Sequence, residues 1–339
     1  MSAPGCLPGR LRTGATPMAD RKRVPLGSLT VARPEDHPEV HPETPSHPES
    51  EVLPKTVEGV REALARRLGS RQEARWMVEE VAGELRSGAG LGPHERERLA
   101  GMVARRLGGE PLQYVLGHWS FRCLDLETDP RALVPRPETE MVVEVARSEL
   151  GRLPRRGRAV AVDLGTGTGA IALSLVVEDP EGTLEVLAVD RDPDALALCA
   201  VNRARVQRAH PAIGGRVSLV QGSWFEALAP DLAGAVDLIV ANPPYVAPEE
   251  WEGLEVEVRA EPRQALVAGP GVEGTPGMEA VELIVAGAPR WLRRPGVLVV
   301  EIAPMQAGAA LRAGRRAGFT EVAIERDLAG RERMLVGRL

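Results

Sequence analysis

Directly after an apolar run at residues 236–240 stands the tetrapeptide Asn242-Pro243-Pro244-Tyr245. Those residue types in that order suit the transfer of a methyl group to a planar nitrogen. The lone pair of an amide nitrogen, or of an amino group on an sp² carbon, is delocalised, so the nitrogen is a poor nucleophile. Two acceptors, the Asn242 side-chain oxygen and the Pro243 carbonyl, can grip both of its N–H bonds. They would aim the lone pair at the incoming carbon and stabilise positive charge growing on nitrogen. The prolines fix the backbone so that one carbonyl stays turned into the site, and Tyr245 can stack on the planar group. In isolation the same four residues also read as a Pro-Pro turn followed by a core tyrosine, so their context decides.

That context includes Asp163-Leu164-Gly165-Thr166-Gly167-Thr168-Gly169, between an apolar run and a helical pattern. Glycines let a chain turn tightly and approach a ligand, and a helix start offers free N–H groups. Gly165, Gly167 and Ala170 also satisfy the dinucleotide fingerprint, with an acid following at Asp190. Such an acid bonds ribose hydroxyls with either a nicotinamide or an S-adenosylmethionine cofactor, so the segment alone leaves both open. Residues 242–245 break the tie, because a dehydrogenase has no use for them at that position.

Positioning these segments requires strands and helices in alternation. Residues 159–164, 184–189, 217–220, 236–240 and 297–302 read as strands; 170–177, 193–208 and a stretch ending near Trp291 read as helices. Residues 322–325 and 334–336 suit a closing antiparallel pair. The pattern is that of an α/β fold: a doubly wound, Rossmann-like sheet with ligand at the carboxyl ends of its strands. Upstream, Val57, Val60, Leu64 and Leu68 fall on one helical face, Ala74, Met77, Val78, Val81 and Leu85 on a second, and Leu99, Met102, Val103 and Leu107 on a third. Ser70 with Glu73 forms a capping-box signature and Pro93 suits a first helical turn. Aromatic and β-prone residues from 112 to 136, with a turn expected at Asp129-Pro130, suggest a hairpin linking the two parts.

Placed in this order, the segments resemble the protein-(glutamine-N5) methyltransferases of peptide chain release factors, the HemK/PrmC type. The resemblance runs from about Val57 to the C-terminus. It is carried by Gly109-Glu110-Pro111-Leu112-Gln113-Tyr114-Val115-Leu116-Gly117, by Val134-Pro135-Arg136-Pro137-Glu138-Thr139-Glu140, by residues 163–171, by Trp224-Phe225, by residues 242–245 and by Glu261-Pro262. It implies a seven-stranded S-adenosylmethionine-dependent methyltransferase domain at residues 138–339. A hairpin linker at 118–137 and a helical partner-docking domain at 56–117 would precede it. It further implies that Gly165, Thr166, Gly167, Thr168 and Gly169 contact the methionine part of S-adenosylmethionine, Asp190 the ribose and Trp224 the adenine neighbourhood, with Asn242 touching cofactor as well as substrate. Asn242, Pro243, Pro244 and Tyr245 would hold the glutamine of a Gly-Gly-Gln loop in a class 1 release factor. Two positions depart from the family pattern: Ser223, where an acid is common, and Ala303, where glycine is usual. Residues 269–277 look irregular enough to form a mobile flap.

Composition bounds the remainder. The chain has 339 residues, 43% hydrophobic and 27% charged, with net charge −6, which is ordinary for a globular protein. No run approaches the roughly 18 apolar residues of a membrane span. Three widely spaced cysteines give neither a disulfide framework nor a zinc knuckle, and the six histidines lack ligand spacing. A cytoplasmic monomer without metal, membrane or specific nucleic acid is therefore expected. The rival substrate is an adenine-type amino group of DNA or RNA, against which the acidic balance stands; a cofactor-binding module without catalysis is the rival class. Residues 1–55 are proline-rich without apolar periodicity and read as a disordered extension, with Met18 an alternative start.

Overall fold

The computed structural model describes residues 54–83, 90–154 and 157–339. The proline-rich segment expected to be disordered lies, up to residue 53, outside the described residues, as does Leu85. Helices α1 (Val57–Leu68), α2 (Arg71–Ala82) and α3 (Pro93–Leu107) pack around their own core of Val60, Leu64, Met77, Val78, Leu99 and Val103. Ser70 caps α2 as the sequence promises, accepting from the Glu73 N–H at 3.2 Å, and Thr56 caps α1 in the same way, accepting from the Gly59 N–H at 3.2 Å. Leu107 departs from its expected buried face and is 51% exposed at the last residue of α3.

The short helix α4 (Leu112–Leu116) leads into a hairpin, β1 (His118–Phe121) and β2 (Leu124–Glu127). Its turn falls at Arg122-Cys123; the turn expected at Asp129-Pro130 is also present, closed by the Ala132 N–H donating to the Asp129 carbonyl at 3.3 Å, but it follows the hairpin. Arg122 takes φ +51°, an unusual conformation for a side-chain-bearing residue. Ion pairs to Glu178 at 2.6 Å and Glu144 at 2.9 Å hold it there, as does a bond from its N–H to Glu140 at 3.0 Å. These partners lie 18 to 56 residues away, so no local turn signature announces them.

Then come α5 (Thr139–Arg152), β3 (Ala159–Leu164), α6 (Ala170–Val177), β4 (Leu184–Asp190), α7 (Pro193–Ala209), β5 (Val217–Gln221) and β6 (Val236–Ala241). The chain closes with α8 (Val256–Arg259), α9 (Glu279–Trp291), β7 (Leu292–Glu301), α10 (Ala307–Arg316), β8 (Glu321–Arg326) and β9 (Glu332–Arg338). The seven-stranded sheet has the order β5-β4-β3-β6-β7-β9-β8. The first five strands are parallel, and β9 inserts antiparallel between β7 and β8. This is the expected doubly wound α/β fold. Every residue of β6 is buried, as befits a central parallel strand covered on both faces. Strand order reverses at β3, which opens a crevice at the carboxyl ends of β3 and β6. Among the described residues no helix is long and apolar enough to cross a membrane.

Two ionic bridges tie the helical region to the sheet region. Arg106 pairs with Glu73 at 2.6 Å and with Glu257 of α8 at 2.7 Å. His118 sits between Asp125 at 2.6 Å and Glu80 of α2 at 2.9 Å. The hydrogen bond to Asp125, aided by that to Glu80 and opposed by burial, raises its pKa to about 9. A histidine that titrates near 6.5 when unfolded therefore stabilises the fold fully below that pH and loses the contribution as pH rises through 9. The side chain is 37% exposed, so solvent screening reduces the effect to about 1 kcal/mol. Thermal melts should show wild type losing more stability than His118→Gln between about pH 6 and pH 9.5; parallel curves would remove the bridge from the account.

Candidate active site

The crevice at the strand reversal is a cleft of about 550 Å³. Each wall comes from the carboxyl end of a strand: Gly165, Thr166, Gly167 and Thr168 after β3, Asp190 ending β4, Ser223 and Trp224 after β5, and Asn242 and Pro244 after β6. The loop before α5 supplies residues 131–136, and α5 itself supplies its first residue, Thr139. Of the residues singled out in the sequence, Gly169, Pro243 and Tyr245 do not line it.

The glycine turn is built from below. Asp163 is fully buried and accepts from the Thr166 hydroxyl at 2.6 Å and the Ala172 N–H at 3.2 Å, both through Oδ2. Oδ1 has no hydrogen-bond partner among the described residues, and burial pushes the carboxyl up to about 7. Gly169 adopts φ +84°, and a Cβ there would come within 2.6 Å of Cys199 Sγ on α7. This glycine thus serves close packing of helix on helix, which explains why it lies outside the cleft wall. Asn202 locks the arrangement: its Nδ2 donates to the carbonyls of Thr168 and Glu127, each at 3.0 Å, and its Oδ1 accepts from the Glu127 N–H at 2.7 Å. A buried asparagine in mid-helix was the available sequence signal for it.

Asp190 receives the N–H groups of Gly167 at 2.9 Å and Asp192 at 3.0 Å, and burial raises its pKa. Each carboxylate oxygen keeps a lone pair for a further donor. Trp224, at φ +45°, lays its ring over Gly165, where a Cβ would approach to 3.5 Å. A backbone cradle opened by the glycines at 165 and 167, a carboxylate at the next strand end and an indole above them fit an adenosyl sulfonium with an amino-acid tail.

The tetrapeptide is held from three sides. Tyr245 and Val246 donate backbone N–H groups to the Leu266 carbonyl at 3.1 and 2.9 Å. Gln306 Nε2 donates to the carbonyls of Tyr245 at 3.2 Å and Pro276 at 3.0 Å. Asn242 Nδ2 donates to Thr139 Oγ1 at 3.0 Å, and that hydroxyl donates to Glu301 Oε2 at 2.7 Å. The Tyr245 hydroxyl faces Glu301 Oε1 at 3.5 Å. Residues 269–277, expected to be irregular, are pinned: Glu279 and Glu282 accept the N–H groups of Gly269 and Val272 at 3.0 and 2.6 Å. The cleft-side loop is tied similarly, because buried Glu261 accepts the Val134 N–H at 2.9 Å and pairs with Arg136. Ala303 has φ −73°, which any residue adopts, so alanine in place of glycine carries no strain.

Fold, cleft and cradle together define an S-adenosylmethionine-dependent methyltransferase. Residues 57–117 match the PrmC N-terminal domain and residues 147–269 the Methyltransferase small domain. The chain is 41% identical over 244 residues to the release factor glutamine methyltransferase of Salmonella typhimurium, covering 72% of this chain and 81% of that protein. With the protein of the same name from Geobacter sulfurreducens it shares 36% identity over 301 residues, 86% of this chain and 98% of that one. With that from Bordetella pertussis it shares 39% over 277 residues, 79% and 95% of the two chains. The chain belongs to the release factor glutamine methyltransferase family.

Proposed function

We propose that this chain methylates the side-chain amide nitrogen of the glutamine in the Gly-Gly-Gln loop of a class 1 peptide chain release factor. The observation that carries the reading is that Asn242, with its Nδ2 already engaged, stands in the same cleft as the glycine cradle. S-adenosylmethionine, when bound, supplies a methyl carbon made electrophilic by its sulfonium. Residues 165–168 would hold its methionine part, Asp190 the ribose and Trp224 the adenine side, with Gly169 seating the turn against α7 from behind. Asn242 Oδ1 and the Pro243 carbonyl accept the two amide N–H groups, and Tyr245 stacks on the amide plane. As the new N–C bond formed, the C–S bonding pair would stay on sulfur and one N–H proton would leave to solvent, so no general base is required of the chain. The helical region at 56–117 docks another part of the partner, through the 118–137 linker to the domain at 138–339. Action as a cytoplasmic monomer without specific nucleic acid completes the reading.

The test is incubation with labelled S-adenosylmethionine and a purified release factor, its Gln→Ala variant in the Gly-Gly-Gln loop, or duplex DNA. Label on the wild-type factor alone is expected; label on DNA would keep the fold and overturn the substrate. A second expectation concerns the cofactor. Asp190→Ala should weaken S-adenosylmethionine binding by about ten- to hundred-fold, the worth of hydrogen bonds to a charged group, with kcat at saturating cofactor within a few-fold. Unchanged binding by calorimetry would remove the ribose assignment.

A further inference from the structure

We propose that Thr139 and Glu301 are positioning residues: a hydrogen-bond chain with one direction that keeps the Asn242 carbonyl oxygen turned toward the incoming amide. The proposal rests on the reading of the cleft above and adds what fixes the rotation of the Asn242 side chain.

A terminal amide has almost the same shape in its two flipped orientations, so packing alone does not choose between them. The wrong choice would set the Asn242 NH₂ against the N–H groups of the substrate. Hydrogen counting makes the choice. An ionised carboxylate only accepts, and a threonine hydroxyl has one proton. That proton goes to Glu301 Oε2 at 2.7 Å, so Thr139 Oγ1 can face Asn242 only as an acceptor. It receives Nδ2 at 3.0 Å, and Oδ1 is left for the cleft.

The chain's anchor is unusual. Glu301 is 1% exposed, and no ion pair to it is found among the described residues. A buried carboxylate is costly unless its hydrogen bonds are met. The fold supplies reasons for its place: Glu301 ends β7, whose Val300 pairs with Ala241, the residue before Asn242. Thr139 opens α5 from the opposite side and lines the cleft. Position and polarity therefore converge on one side-chain amide.

Protonation of Glu301 would reverse the direction. A neutral carboxyl can donate to Thr139, whose own proton is then free to turn to Asn242 and flip the amide. Burial pushes Glu301 up to about 7, while the Thr139 and Tyr245 hydroxyls and nearby Arg333 favour its charged form and Glu138 disfavours it. Turnover should therefore fall on the acid side of neutrality, where the substrate amide itself does not titrate.

The experiment is steady-state methylation of a release factor by wild type, Thr139→Val, Thr139→Ser and Glu301→Gln. Thr139→Val keeps the shape and loses the hydroxyl. It should lower kcat about ten- to hundred-fold, with KM for both substrates within about three-fold, and Thr139→Ser should restore most of the loss. In Glu301→Gln the acid-side fall in kcat should vanish, a readout that holds even if Thr139→Val fails to fold. A Thr139→Val enzyme within about three-fold of wild type, equal impairment by valine and serine, or an unchanged acid limb in Glu301→Gln would overturn the chain. A wild type that labels no release factor would overturn the underlying reading instead, and the chain with it.

Discussion

Asn242→Ala is expected to lower kcat by about 10²- to 10³-fold, equivalent to about 3–4 kcal/mol of transition-state stabilisation, and to leave cofactor affinity within a few-fold. The asymmetry follows from when the interaction is strongest. A neutral amide gives only ordinary hydrogen bonds to Asn242 Oδ1 and the Pro243 carbonyl. Once nitrogen starts to bond carbon it turns cationic, its N–H groups become stronger donors, and the same acceptors bind it more tightly. Interactions of that kind raise kcat and not merely affinity. The cofactor cradle, by contrast, is assembled on β3, β4 and Trp224 in the same cleft, and the hydrogen bond given by the Asn242 side chain runs to Thr139 and not to the cradle. Rapid-quench single-turnover rates with saturating substrates, set beside calorimetric titration of S-adenosylmethionine, separate the two effects. Turnover within a few-fold of wild type would refute the gripping role; a parallel collapse of cofactor binding would point to general disorder of the loop.

How much of this site could be read beforehand depended on whether its parts were local in sequence. The glycine turn and the tetrapeptide each follow a strand and Asp190 ends one, and strands 159–164 and 236–241 are apolar but for Asp163 and Asp237, so their placement at the crevice is legible. The three N-terminal helices were equally plain, because caps and apolar spacing agree. What stayed hidden was long-range polar chemistry. Asn202 reaches Glu127 across 75 residues, Glu261 reaches Val134 across 127, and Glu301 reaches Thr139 across 162. No periodicity encodes such pairs, since each partner is chosen by topology after the sheet has formed. The hairpin's own turn is hidden for the same reason: Arg122 holds its left-handed backbone through remote glutamates, whereas Asp129-Pro130, whose local signal is stronger, turns the chain after the hairpin. The expected flap at 269–277 looked loose because its glycines and prolines were visible and its anchors, Glu279, Glu282 and Gln306, were not recognisable as such.

Those anchors make the second large effect testable away from the reacting atoms. Gly277→Ala is expected to lower kcat by about 10²-fold and Tm by about 5–10 °C, although Gly277 does not line the cleft. Its φ of +67° is strained for any residue with a Cβ, which contributes about 1–2 kcal/mol. The added carbon would also overlap the Tyr245 carbonyl oxygen and stand 2.7 Å from the carbonyl carbon. Backbone cannot swing aside as a flexible side chain can, so either residues 270–277 or the tetrapeptide must move, at about 1–3 kcal/mol more. Gln306 couples the two segments by donating to both, so displacing one disturbs the other. A shift of about 1 Å at the gripping carbonyls is enough for a hundred-fold loss. Gly274→Ala provides the internal control. Its φ is +76°, yet among the described residues nothing lies within 4 Å of the added carbon. It should carry the conformational strain alone, with Tm down by about 2–4 °C and kcat nearly unchanged. Melting curves and kcat for both variants settle the matter: equal activity losses would assign the effect to loop strain, whereas loss confined to Gly277→Ala locates it in the backbone contact that seats Tyr245.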